Sequence, residues 1–372
     1  MKLIFQVMIV LALVLSLAGC QAGPPQAATE TMATPTPRPM QTPTPTPEPT
    51  PTPVPLPTSP PNMGVSNLTG EYIYIGATGR RPVAIVIDNI RRALPQSGLA
   101  QADILYEVLA EGGVTRLMAI FKDFDTDRIG PVRSARSYFI DFAVDHDAIF
   151  IHHGGSPQSL ADLRSMNIDR LDGMAEAQVF WRDRSRPMEH SSFTGAERIW
   201  ARINDRDMRQ QLSTTHEGPF GFFPAPSSPR ESKPAEEFEI RFTQGYTTRM
   251  AFNAETGLYA MYTSSGPRID EEIGEQLTFS NIIVQNTQVR MIPGDDAGRR
   301  DVATVGQGTG YLFTNGRVAP IRWAKPSRAQ PTRWYNDQGL QLNLNQGRTY
   351  IAVADSSPII LDPHDTPDED EE

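Results

Sequence analysis

Apolar and polar positions fall into three regimes along the chain. Residues 3–17 form one apolar run, broken only by Gln6 and Ser16, behind a Met-Lys start. At about fifteen residues the run falls short of the ~20 that a spanning helix needs, and it fits a secretion signal. Residues 20–61 show no periodicity. From residue 62 the pattern is that of folded protein. Residues 82–88 (PVAIVID) are β-branched and apolar and predict a buried strand. Residues 104–110 and 114–121 flank Gly112-Gly113, which predicts a two-residue hairpin. That pairing would set Glu107, Leu109 and Glu111 on one face with Val114, Arg116 and Met118. Ser134 is placed to cap a helix running to about Val144, with Tyr138, Phe139 and Phe142 as its apolar stripe. Residues 148–152 read as a strand. Gly154-Gly155-Ser156-Pro157 leads into a helix with Ser156 as cap and Pro157 first inside it. A further helix is expected at 194–212. Strands alternating with helices predict an α/β (α+β) N-terminal domain at 62–225. Pro224, Pro226, Pro229 and Pro234 mark a connection. Short strands follow, with Asn315-Gly316 as a hairpin turn, and predict a smaller, mostly-β C-terminal domain at 226–361.

Composition explains the region without periodicity. Residues 21–61 hold 15 prolines and 10 threonines, so they cannot build a core. Thr-Pro repeats favour extended polyproline II at ~3.1 Å per residue, giving a stalk of at most about 130 Å. Leu17-Ala18-Gly19-Cys20 places small residues and the chain's single Cys at the end of the apolar run, as in a bacterial lipobox. Residues 1–19 are therefore expected to be a lipoprotein signal peptide, with lipidation at Cys20. Two or three acyl chains hold a protein stably at a membrane. Gln21 follows the Cys, and which membrane retains the protein stays open. Residues 362–372 carry seven acids and are expected to be disordered. Without both ends, 32 basic residues face 35 acidic ones, so a nucleic-acid partner is not expected. One cysteine excludes a disulfide framework and a multi-Cys metal site.

Candidate chemistry concentrates in the N-terminal half. Arg133 and Arg136 lie in Gly130-Pro131-Val132-Arg133-Ser134-Ala135-Arg136 at an expected helix start, where the helix dipole disfavours cations. They therefore point either to a bound anion or to acidic partners such as Glu107, Glu111 or Asp141. His152-His153-Gly154-Gly155-Ser156 runs from a strand end into a helix start and exposes backbone donors suited to an anion. Alternation along a strand lets only one of the two histidines face such a pocket, as an acid/base or as a packed side chain. Glu107 and Glu111 could be paired glycosidase carboxylates, or salt-bridge partners of Arg116. The stretch 181–186 followed by His190 could meet an acidic glycan or simply be a solvated surface. No motif for a metal, cofactor or nucleophile is present.

Several of these segments together resemble the YerB-like bacterial lipoproteins, a family of unknown function. They are residues 81–89, Pro95 to Leu99 with Ala102-Asp103, Tyr106-Glu107, and Glu111 to Arg116. Ile129 to Arg136 and His152 with Gly154-Gly155-Ser156 follow. Gly316, Arg322-Trp323, Lys325, Gly347 and Tyr350 resemble the smaller partner domain. Met188-Glu189-His190-Ser191 departs from the family's shorter Pro-His-Asn-like step and lends His190 no role. The resemblance implies an α/β first domain, a lipid anchor and an extracytoplasmic setting. It brings no reaction, substrate or cofactor. The leading reading is a lipid-anchored binding or scaffold module for an anionic envelope glycan, peptidoglycan fragment or partner protein, using Arg116, Arg133, Arg136, His152, His153, Gly154, Gly155 and Ser156. The alternatives are an envelope hydrolase or transferase using Glu107 or Glu111 with His152, and a ligand-free structural module.

Overall fold

The computed structural model describes residues 60–355 and 357–360, so the expected signal peptide, Cys20, most of the stalk and the acidic tail lie outside the described residues. The run at 82–88 forms strand β1 (Val83–Ile87), buried along its whole length. β2 (Ile104–Leu109) and β3 (Thr115–Phe121) pair beside it. Helix α1 (Ser137–Val144), β4 (Ile149–His152), α2 (Pro157–Ser165), β5 (Arg170–Asp172) and α3 (Ala196–Asp205) follow. The C-terminal half supplies β6 (Glu237–Thr243), β7 (Tyr246–Asn253) and β8 (Leu258–Thr263). It continues with β9 (Asn281–Asn286), β10 (Val289–Met291), β11 (Arg300–Val302), β12 (Gly306–Thr314), β13 (Arg317–Lys325) and β14 (Thr349–Ala354). The β12–β13 hairpin turns through Asn315 and Gly316, both at positive φ, as that dipeptide favours.

The two halves share one sheet. β13, β12, β9, β14, β2, β3, β1, β4 and β5 are successive neighbours in an eleven-stranded sheet. Its seam is the parallel pair β14–β2, from Thr349 opposite Ile104 to Val353 opposite Val108. One face is covered by α1 and α2, where Phe139, Phe142 and Leu163 pack on Val86, Val108 and Val353. The other is covered by α3 and the smaller sheet β6–β8, where Ile199, Phe238 and Met250 belong to the same core as Ile85, Leu117 and Ile282. Local patterning cannot reveal this sharing, because the paired strands are far apart in sequence.

Three expectations are corrected. The β2–β3 turn is longer than two residues: Ala110 N–H donates to Val114 O at 2.8 Å, closing a loop of Glu111, Gly112 and Gly113, with both glycines at positive φ. This moves the pairing by one residue, so Glu107 lies opposite Leu117, not Met118. A one-residue slip exchanges faces. Glu107 therefore points toward β7 while Arg116 points toward α1. Helix α1 begins at Ser137, with Arg136 at the cap position and no side-chain cap. Ser134 Oγ donates to His153 O at 3.2 Å instead. Helix α3 ends at Asp205, two residues before Asp207 takes φ +48°, and Gln211 then bridges to Arg80.

Candidate functional site

The starts of α1 and α2 open onto a cleft of about 700 Å³. Arg136, Ser137, Ser156 and Pro157 form its N-terminal wall, and Arg299, Arg300 and Thr304 its C-terminal wall. Ser156 is the expected cap: its Oγ accepts from Ser159 N–H at 3.2 Å, with Pro157 in the first turn. Gly154, at φ +69°, turns the chain between β4 and that cap. The floor carries Asp141 and Asp162, both bonded to Arg328, at 2.7 and 3.0 Å. Burial raises the Asp141 carboxyl above its ordinary range despite donors from Thr304 and Arg328.

The arginines of the cleft differ in how far they are compensated. Arg136 Nε bonds Glu111, which Arg116 also pairs at 3.2 Å. Burial alone would raise Glu111, but the bond from Arg136 and the two guanidinium charges outweigh it and hold the carboxyl low. Burial, helped by Arg136, draws Arg116 down to about 10. Arg299 pairs with Asp295 at 2.7 Å. Arg300 has no ion pair among the described residues, and its Nε donates only a long bond to Ala110 O, at 3.4 Å. A half-exposed guanidinium beside two helix starts is an anion-attracting arrangement.

The other sequence candidates lie elsewhere. Arg133 turns away from the cleft to Asp88, 3.3 Å from its Oδ2, and donates to Glu189 O at 2.8 Å. His152 is buried on the α1 face, its Nδ1 2.7 Å from Gly154 O, and burial lowers its pKa. His153, on the opposite face, is lowered by burial and by Arg182. Glu107 is fully buried and accepts from Asn89 Nδ2 at 3.1 Å, Thr248 Oγ1 at 3.1 Å, Thr115 and Tyr350. Glu107 and Glu111 thus occupy separate environments on opposite faces and do not form an acid/base pair. Among the described residues no cluster of His, Cys, Asp and Glu could hold a metal ion, and no helix is long and apolar enough to cross a membrane.

Comparison with known proteins fixes the relationship. Residues 68–209 match the N-terminal domain, and residues 238–351 the C-terminal domain, of the family described as "Protein of unknown function (DUF3048)". The chain is also 33% identical over 296 residues to the Bacillus subtilis (strain 168) protein named "Putative lipoprotein YerB", spanning 77% of this chain and 85% of that one. The chain belongs to the YerB-like family. Its fold is similar to the crystal structure of YerB from Bacillus subtilis, with a TM-score of 0.69 at 29% identity, covering 78% of this chain and 97% of that one. The YerB-like architecture is thus a two-domain, mostly stranded fold with few helices. Sequence reasoning missed Arg300 and Thr304 because the C-terminal half brings them to the cleft. It also missed Asp88, which reads as the end of a core strand.

Proposed function

We propose that this YerB-like protein is held at the outer surface of a bacterial membrane by acyl groups on Cys20. There its folded body acts as a binding module for an anionic envelope ligand of the peptidoglycan-fragment class. The relationship to a named lipoprotein supports the anchor, as do the lipobox-like residues. Labelling with palmitate should mark the wild-type chain and leave Cys20→Ala unmarked; label retained by the variant would contradict the anchor.

The observation that carries the binding reading is the cleft, where Arg300 and Arg136 stand beside the starts of α1 and α2. Asp141 and Asp162 are tied to Arg328 and Asp295 to Arg299, while Asp301 on the rim is exposed, so an incoming carboxylate meets Arg300 as the cleft guanidinium without an ion pair among the described residues. Hydrogen bonds to a charged group are worth about 1.5–3 kcal/mol. Arg300→Ala should therefore weaken muropeptide binding about ten-fold or more in isothermal titration, with little change in melting temperature. Equal affinity in the two proteins would remove the cleft from the account. The ion pairs of Arg136 with Glu111 and of Arg133 with Asp88 favour a second reading, a body that merely braces itself. Under that reading Arg136→Ala lowers the melting temperature and no ligand is found.

A further inference from the structure

A second polar constellation stands at the carboxyl ends of three neighbouring strands. β1, β4 and β5 are adjacent and parallel, and Asp88, His153 and Asp172 mark their ends. Ligands of open α/β sheets bind at this edge. Asp88 is 1% exposed, and its Oδ2 accepts from His190 Nδ1 at 2.7 Å. A carboxylate only accepts, so the contact puts the imidazole hydrogen on Nδ1 and leaves the lone pair on Nε2. Nε2 meets no partner among the described residues, yet, unlike Nε2 of His152, it is not among the sealed interior atoms.

Two guanidinium groups converge on the turn that carries this histidine. The turn is Met188–His190; Arg182 donates to Met188 O at 2.7 Å and Arg133 to Glu189 O at 2.8 Å. Arg182 also donates to His153 Nε2 at 3.0 Å, so His153 Nδ1 carries the hydrogen it shares with Ser192 Oγ at 2.8 Å. Arg133 shares its charge with Asp88. Arg182 is exposed, and among the described residues it forms no ion pair. Asp172, the remaining acid at the strand ends, is occupied by the N–H groups of Gly154 and Met174. Pinning a turn's carbonyls requires no charge; an uncompensated guanidinium beside an oriented imidazole suits an oxyanion.

We infer that His190, with Asp88 behind it and Arg182 and Arg133 beside it, binds the terminal phosphoryl group of a phosphate monoester and hydrogen-bonds one of its oxygens through Nε2. A monoester carries close to two charges at neutral pH. Arg182 can neutralise one, and a proton held at Nε2 the other. The site is separate from the cleft at the helix starts and does not depend on it.

The test uses the full chain in detergent, titrated with inorganic phosphate, glycerol 3-phosphate and phosphatidylglycerol vesicles. Phosphate and glycerol 3-phosphate should bind saturably and move the His190 Nε2 nitrogen resonance toward its protonated position. Arg182→Gln and His190→Gln should each weaken that binding about ten-fold or more, with Arg182→Gln keeping the wild-type melting temperature. Arg300→Ala should leave it unchanged. Absence of saturable binding, equal affinity in Arg182→Gln, or binding to vesicles alone would overturn the inference.

Discussion

Replacing Lys325 by methionine should lower stability by about 3–5 kcal/mol, the loss expected when one partner of a buried ion pair is removed. Lys325 and Asp145 are 0% and 2% exposed and paired with each other. The ammonium also donates to Gln330 O at 2.7 Å and Asp141 O at 3.2 Å. Thr332 satisfies Asp145 further, through its N–H at 2.9 Å and its hydroxyl at 2.7 Å. Lys325 belongs to β13 and Asp145 follows α1, so the pair ties the C-terminal half to the N-terminal half. Burial already raises the Asp145 carboxyl, and Lys325 is the main force opposing that rise. Without the ammonium, Asp145 must stay charged in the interior or take up a proton. Urea unfolding of wild type, Lys325→Met, Asp145→Asn and the double variant would measure the coupling. The double variant should lose clearly less than the sum of the singles. A loss below about 1 kcal/mol in Lys325→Met would contradict the buried pair.

His146 should cost the wild-type protein stability in mild acid, an effect that its removal would uncover. It is 0% exposed, its Nε2 meets the Tyr106 hydroxyl at 2.9 Å, and its Nδ1 has no partner. Burial, aided by the His216 and Lys325 charges, pulls its pKa from 6.5 down to about 3. The unfolded chain therefore takes a proton that the folded protein refuses. Its stabilising contribution is complete above 6.5 and is lost as pH falls toward 3, at up to about 1.4 kcal/mol per pH unit. Asp103 works in the opposite direction. Burial lifts it from 3.8 to about 7, so the folded state holds the extra proton and stability falls as pH rises across that window. Between about pH 4 and 6.5 the two slopes oppose each other, and wild-type stability should vary little from these groups. His146→Gln should gain stability relative to wild type as pH falls through that range. Asp103→Asn should lose it. Parallel pH profiles for wild type and His146→Gln in urea unfolding would contradict the assignment.

What the sequence shows follows how local each cause is. The β1 run, the Ser156 cap with Pro157, and the Asn315-Gly316 turn depend on neighbouring residues, and all three are seen in the structure. The β2–β3 register was not legible, because two glycines fit a two-residue turn and a three-residue loop equally well. That single slip separates Glu107 from Arg116 and removes the paired-carboxylate site. Half of the cleft was readable in Arg136 and Ser156. The other half, Arg300 and Thr304, arrives through β14 joining β2, a pairing that no local pattern encodes. The segment around His190 departs from the family pattern and so signals no role for it, yet folding places it against Asp88.

Hydrogen exchange with and without a bound muropeptide tests the proposed ligand site most directly. Protection on binding should concentrate at the starts of α1 and α2 and in the segment 299–305, with Arg300→Ala needing about ten-fold more muropeptide to reach it. Protection confined to other surfaces, or no change at saturating muropeptide, would contradict a ligand cleft between the two halves.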